Sequence, residues 1–255
     1  MPVIIPRVPW PTDFPDVVIH SDMPHRNNHA FYAAAKAGDA EAAKTLVQDL
    51  LSADGIAQVS GLLSGRPAIF IPVVADEVSG FNAIPDAMAQ EIANRLGLMA
   101  LAGTIVQANK VGHTRADGWH RLVTPAVFSG DVEEHANTIL VDDHVGFGGT
   151  LANLRGYIEQ RGGHVLGMTT LTETRAARKI AVRAETLTML QDRHGEELNH
   201  FWFEEFGHTV DCLTDIEAGY LCRVESVAAI KNRMAQAAEL ARGRGFSAVG
   251  LGPRP

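Results

Sequence analysis

Two adjacent carboxylates, Asp142 and Asp143, stand just before a cluster of small and flexible residues, Gly146, Gly148, Gly149 and Thr150. Acids and glycines serve different ligand groups. A glycine-bearing loop that opens a helix presents unpaired backbone N–H groups and the positive end of a helix dipole, which together seat a phosphate. Glycine lets the backbone come close to the anion and take positive φ. Thr150 could add a hydroxyl donor at the helix start. Neighbouring carboxylates would repel that phosphate, but they accept hydrogen bonds from sugar hydroxyls and bind hard cations such as magnesium. Phosphate and polyol side by side point to a phosphorylated sugar.

The flanking elements must hold these groups in place. Ile139, Leu140 and Val141 are dense enough for a buried strand ending at the acids. After the loop, Leu151, Leu154 and Ile158 recur at helical spacing, with Arg155, Glu159 and Arg161 between them. The order is strand, acid pair, glycine loop, helix. The bland alternative is an ordinary strand–turn–helix with a solvated acid pair.

Residues 139–151 closely resemble the phosphoribosyl pyrophosphate (PRPP) motif of the type I phosphoribosyltransferase family, an apolar strand followed by two acids and a loop ending Gly-Gly-Thr. The resemblance implies that Asp142 and Asp143 hold ribose hydroxyls and meet magnesium indirectly, through PRPP or water. It also implies that Gly146, Phe147, Gly148, Gly149 and Thr150, with Val145 at the loop entry, hold the 5′-phosphate. The family usually carries small hydroxyl residues where this chain has Gly146 and Phe147. Phe147 removes a hydroxyl and sets an aromatic ring beside the phosphate seat, while the backbone donors remain.

The implied fold is α/β, doubly wound, with a mostly parallel central sheet, helices on both sides and the site at the carboxyl ends of the strands. Ala68–Val74 reads as the first core strand. The following loop holds Asp76 and Glu77, poor groups for meeting pyrophosphate unless magnesium intervenes. Pro85 starts a helix carrying Met88, Ile92 and Leu96. Met99–Gln107 reads as a second strand. Asn109–Gly130 is then long and rich in basic and imidazole groups. By its place between two strands it resembles the family's closing loop, with Lys110, Arg115 and Arg121 as the cations that would reach the leaving group. A solvated excursion is the other reading. His144 could assist proton transfer or point into the sheet.

Outside this core, residues 1–27 form a proline-rich extended arm, lying on this domain or on a partner subunit, and 28–66 a helical addition with a break at Gly38-Asp39. The phosphoribosyltransferase-like core runs 67–172, and a hood or helical part of the same domain runs 173–242. The tail, 243–255, is expected to fray. Around residue 202 the aromatics favour core packing over stacking on a base. Thr214 and Glu217 have the spacing of a capping box, and a helix follows from Ser226 to about Arg242.

Composition bounds the rest. Hydrophobic residues make up 46% of the chain and charged residues 20%, as in a globular protein. A net charge of −8 disfavours nucleic acid as a partner, and no apolar run approaches membrane-spanning length. Cys212 and Cys222 match no zinc pattern and suggest a reducing compartment, and the N-terminus lacks the apolar stretch of a leader, so the chain reads as cytoplasmic. The resemblance implies a homodimer that transfers a 5-phosphoribosyl group between PRPP and a nitrogen base, with magnesium pyrophosphate leaving. A relative that binds PRPP or a nucleotide without turnover, as a regulator or interaction protein, is the second reading.

Overall fold

Strand β8 (Asn137–Val145) lies at the centre of the main sheet, because its apolar run has a layer to bury on each face. Ile139 and Val141 enter the core beneath one set of helices, and Leu140 enters the core on the opposite face. The structure, a computed structural model, describes residues 7–77, 80–113, 116–175 and 177–249.

In chain order the described elements are β1 (Val18–Ile19), α1 (Met23–Asn28), α2 (Tyr32–Lys36), α3 (Ala40–Leu50), α4 (Ala53–Leu63) and β2 (Ile69–Pro72). A small hairpin, β3 (Asp76–Glu77) and β4 (Gly80–Phe81), leads to α5 (Ile84–Leu96), β5 (Met99–Ala100) and β6 (Ile105–Gln107). Then come α6 (Gly118–Val123), β7 (Phe128–Gly130), β8, α7 (Gly149–Glu159) and β9 (His164–Glu173). The C-terminal part is helical: α8 (Ala184–Phe206), α9 (Asp215–Leu221) and α10 (Val227–Gly243). Five strands form the main sheet in the order β1-β9-β8-β2-β5, and every adjacent pair is parallel. Helices cover both faces, as expected.

One face packs on α3, α4 and α5 through Leu46, Val59, Met88 and Ile92. The other packs on α7 through Leu151, Leu154 and Ile158. A third core gathers α6, α8, α9 and α10 around Trp202, Leu221, Ile230 and Met234. Trp202 and Phe206 stack at 4.4 Å with both rings buried, which is the core packing expected of these aromatics.

Several elements differ from the sequence reading. The single strand expected over Met99–Gln107 is two strands in different sheets, because Gly103, at φ 76°, turns the chain between them. β6 pairs antiparallel with β7, so the segment 109–130 is tied at its base rather than loose. Asp76 and Glu77 belong to a short strand, not a loop. The arm contributes the edge strand β1, too short to leave a periodic signal. Helix α4, capped by Ser52, lies within the segment read as a helical addition, and Gly55 and Gly61 dilute its periodic pattern. α8 is long and carries a break at Gly195, where φ is 58°. Within the stretch read as a tail, Ser247 N donates to Lys110 O and Val249 N to Val123 O, and Val249 is buried, while 250–255 lie outside the described residues. The capping box at Thr214 and the helix after Ser226 form as read.

Candidate functional site

β8 carries the acids to the carboxyl end of the sheet, and the chain then turns into α7 through Gly146–Gly149. Gly148 sits at φ 79°, ψ −4°, a left-handed conformation that side chains resist, and it opens the helix with no side-chain cap. The first-turn N–H groups of α7 are therefore not capped by a side chain of residue 148. Residues Val145–Leu151 line a small cavity of about 60 Å³, which Arg121 and Asp142 also border. This is a seat of the kind a phosphate takes at a helix N-terminus.

Strand alternation separates the two acids. Asp142 lines both the small cavity and an adjoining cleft of about 640 Å³, and its Oδ1 accepts the Asp143 backbone N–H at 2.8 Å. Asp143 lines the large cleft but not the small cavity, it is 7% exposed, and Lys36 Nζ from α2, also on the cleft, stands 3.0 Å from its Oδ2. Burial alone would push the Asp143 carboxyl up, but the Lys36 charge and hydrogen bond, helped by Arg26, hold it below the ordinary range. Both acids line the cleft, and Asp143 is in addition engaged by Lys36.

His144 bridges two threonines of the β9 end, Nδ1 to Thr172 Oγ1 and Nε2 to Thr174 Oγ1, each at 2.8 Å. Burial, with Arg26 next, lowers its pKa to about 4, so the imidazole is neutral at pH 7. Its two ring nitrogens are used in joining strands.

Of the three cations expected from the 109–130 segment, Lys110 and Arg121 line the large cleft. Arg115, with Thr114, lies outside the described residues. Arg121 projects from α6, donates through Nη2 to His113 O at 2.7 Å and lies 5.9 Å over the Phe147 ring. Its Nη1 is 3.7 Å from where a Cβ on Gly146 would stand, so its charge serves the loop. Burial pushes its pKa down, opposed by Asp117. Around it the segment is well tied. Asn109 bridges Pro125 O and Val127 N, His120 Nε2 meets Val111 O at 2.6 Å, and His113 Nε2 meets Thr124 O at 2.8 Å.

Phe147 does more than displace a hydroxyl. Its carbonyl accepts from Thr214 Oγ1 at 2.6 Å and its ring packs on Tyr220, so it ties the loop to α9. Beneath Gly149, Arg7 of the arm forms a buried pair with Glu217, at 2.6 Å and 2.9 Å, and its Nε donates to Asn153 Oδ1 at 2.6 Å. Arg155 of α7 holds the same arm by donating to Val8 O and Pro9 O beneath the Trp10 ring. The arm thus lies on its own domain. Arg7, Arg26 and Lys36 went unnoticed as site residues because their partners lie 210, 146 and 107 positions away along the chain.

For a metal, no group of three potential ligands occurs among the described residues. With Asp143 paired to Lys36, the donors among the described residues do not by themselves form a magnesium site. Nor is any helix among them long and apolar enough to cross a membrane.

The fold and site define a parallel-sheet α/β protein with a helix-opening glycine loop beside two cleft-lining carboxylates, one of them paired with Lys36. No family model matches the chain. It is 43% identical over 231 residues to Protein TraN of Escherichia coli, a match covering 91% of this chain and 51% of that one. It is 41% identical over 152 residues to an uncharacterized protein of Haemophilus influenzae, covering 60% of this chain and 34% of the other. The chain spans about half the length, or less, of these relatives. Among solved structures, adenine phosphoribosyltransferase from Leishmania tarentolae superposes with a TM-score of 0.34 at 16% identity, covering 68% of this chain and 78% of that one.

Proposed function

We propose that the chain binds a 5-phosphorylated ribose, as PRPP or a nucleotide, with the 5′-phosphate on the loop Gly146–Thr150 and a ribose hydroxyl on Asp142. One observation carries the reading: the open N-terminus of α7, the Arg121 guanidinium and the Asp142 carboxylate border one cavity. The backbone donors and Arg121 match a phosphate, and Asp142 matches a hydroxyl donor. The reaction that fits is transfer of the phosphoribosyl group between PRPP and a nitrogen base. A held ribose and a neutralised leaving group are most of what that displacement requires. Asp142 is the carboxylate placed to meet a magnesium ion carried by the diphosphate. Arg121 neutralises charge at the phosphate end, and Lys110 lies along the cleft.

A second reading, ligand binding without turnover, is favoured by the Lys36–Asp143 pair, which already neutralises one of the two acids on the cleft.

Calorimetry with PRPP and magnesium tests both, using Asp142→Asn, which keeps the Oδ1 acceptor for the Asp143 N–H. The expected result is binding that weakens by about tenfold or more in the variant, as for loss of a hydrogen bond to a charged group. Pyrophosphate released on adding a base then separates enzyme from binding protein. Heat absent from PRPP, or indifferent to Asp142→Asn, would sink both readings.

A further inference from the structure

After α10 the chain turns back onto the segment that carries Lys110 and leads into α6. The Phe246 ring, half-buried, sits directly on Gly112: a Cβ there would stand 2.4 Å from Phe246 Cζ and 2.5 Å from Cε1. The same ring meets His120 edge-on, with centroids 5.4 Å apart. Two backbone bonds extend the contact, Ser247 N to Lys110 O at 3.2 Å and Val249 N to Val123 O at 2.8 Å. Phe246 is in turn fixed to α10, since its N–H donates to Ala241 O at 3.0 Å. Arg121 stands between these contacts. It follows His120 on α6, and its Nη2 donates to His113 O, one residue beyond Gly112. His120 Nε2 also meets Val111 O at 2.6 Å. The helix residue before Arg121 and the carbonyl that Arg121 holds are thus both secured through Phe246. The sheet does not secure them, because β6 ends at Gln107 and β7 begins at Phe128.

We propose that Phe246 is a positioning residue for Arg121: residues 246–249 form a strap that locks residues 110–113 against α6 and fixes the guanidinium beside Gly146 before any ligand arrives. The effect on a ligand rests on the reading of the glycine loop as a phosphate seat. A cation held in place beforehand loses less freedom when it binds, so the strap acts on affinity, and it acts through Arg121. Phe246 itself touches no ligand.

Limited trypsinolysis of the whole chain tests the strap without ligand. Cleavage after Lys110 should quicken by about fivefold or more in Phe246→Ala, while cuts elsewhere keep their wild-type rates. Ser247→Pro, which removes the donor to Lys110 O at an exposed position, should do the same. Phe246→Tyr should also fail to hold the segment, because its hydroxyl extends the ring from Cζ into Gly112. Calorimetry with ribose 5-phosphate then reads Arg121. Phe246→Ala should weaken binding by about threefold to tenfold on its own, and by less than about twofold when added to Arg121→Gln. Cleavage after Lys110 that stays at the wild-type rate in folded Phe246→Ala would overturn the strap; if that variant does not fold, Ser247→Pro decides in its place. An equal loss of affinity in both backgrounds would make Phe246 a part of the fold only and overturn its role toward Arg121. A wild-type protein that does not bind ribose 5-phosphate would sink the phosphoribosyl reading, and proteolysis would still decide the strap.

Discussion

Lys36 Nζ lies 3.0 Å from Asp143 Oδ2, joining a short N-terminal helix to the second acid of the central strand. Their side chains are 20% and 10% exposed, so the pair is largely withdrawn from water. Removing one partner strands the other, and each of Lys36→Met and Asp143→Asn should lower unfolding free energy by about 3 kcal/mol. The double variant should recover about 1–3 kcal/mol of the summed loss. Urea denaturation of the four proteins measures this, and additive losses would show that the pair is not coupled.

The loop depends on glycine for two separate reasons. At Gly148, φ of 79° opposes any side chain, and a Cβ would stand 3.1 Å from Ile180 Cγ1. At Gly149 the obstacle is contact, since a Cβ would stand 2.6 Å from Glu217 Oε1 and 3.1 Å from Arg7 Nη2. Gly148→Ala should cost about 1–3 kcal/mol through backbone strain. Gly149→Ala should cost about the same by displacing the Arg7–Glu217 pair. Ribose 5-phosphate binding should fall in both, and a Gly149→Ala protein with wild-type stability would refute the packing account.

Arg7 and Glu217 are 6% and 4% exposed at their side chains, and the same carboxylate closes the capping box of α9. Arg7→Ala leaves that charge buried and unpaired, and should destabilise the fold by about 3–5 kcal/mol. Pairing Arg7→Met with Glu217→Gln, which keeps the cap acceptor, should restore most of the loss. Thermal melting of the three proteins checks the ordering.

Two buried imidazoles, His20 and His208, and two half-buried ones, His113 and His144, set the response to acid. Burial lowers His20 and His144 to about 4, and His113 and His208 to about 3, all from an unfolded value of 6.5. Folding therefore favours their neutral forms. Their stabilisation is complete above pH 6.5 and is lost as pH falls through the folded values. Each can contribute up to about 1.4 kcal/mol per pH unit in that window. Asp143, whose folded value lies below its unfolded one, adds a loss at still lower pH. Melting temperature should fall steadily below pH 6.5, and His144→Gln should flatten the slope. A flat profile down to pH 4 would contradict the buried, neutral histidines.

What the sequence determined by itself is local. Ile139–Val141, the acids, the glycines and the helix of Leu151 and Leu154 are contiguous, so strand, loop and helix could be read from spacing alone, as could the capping box of Thr214 and Glu217. What only the tertiary structure decided is which groups meet across the fold. Asp142 borders both the small cavity and the cleft while Asp143, on the cleft alone, meets Lys36, and the N-terminal segments brought Arg26 to the cleft and Arg7 beneath the loop. No periodicity records such pairings. The partners are separated by 107 to 210 residues, and each contact exists only because parallel strands and their covering helices bring distant stretches together.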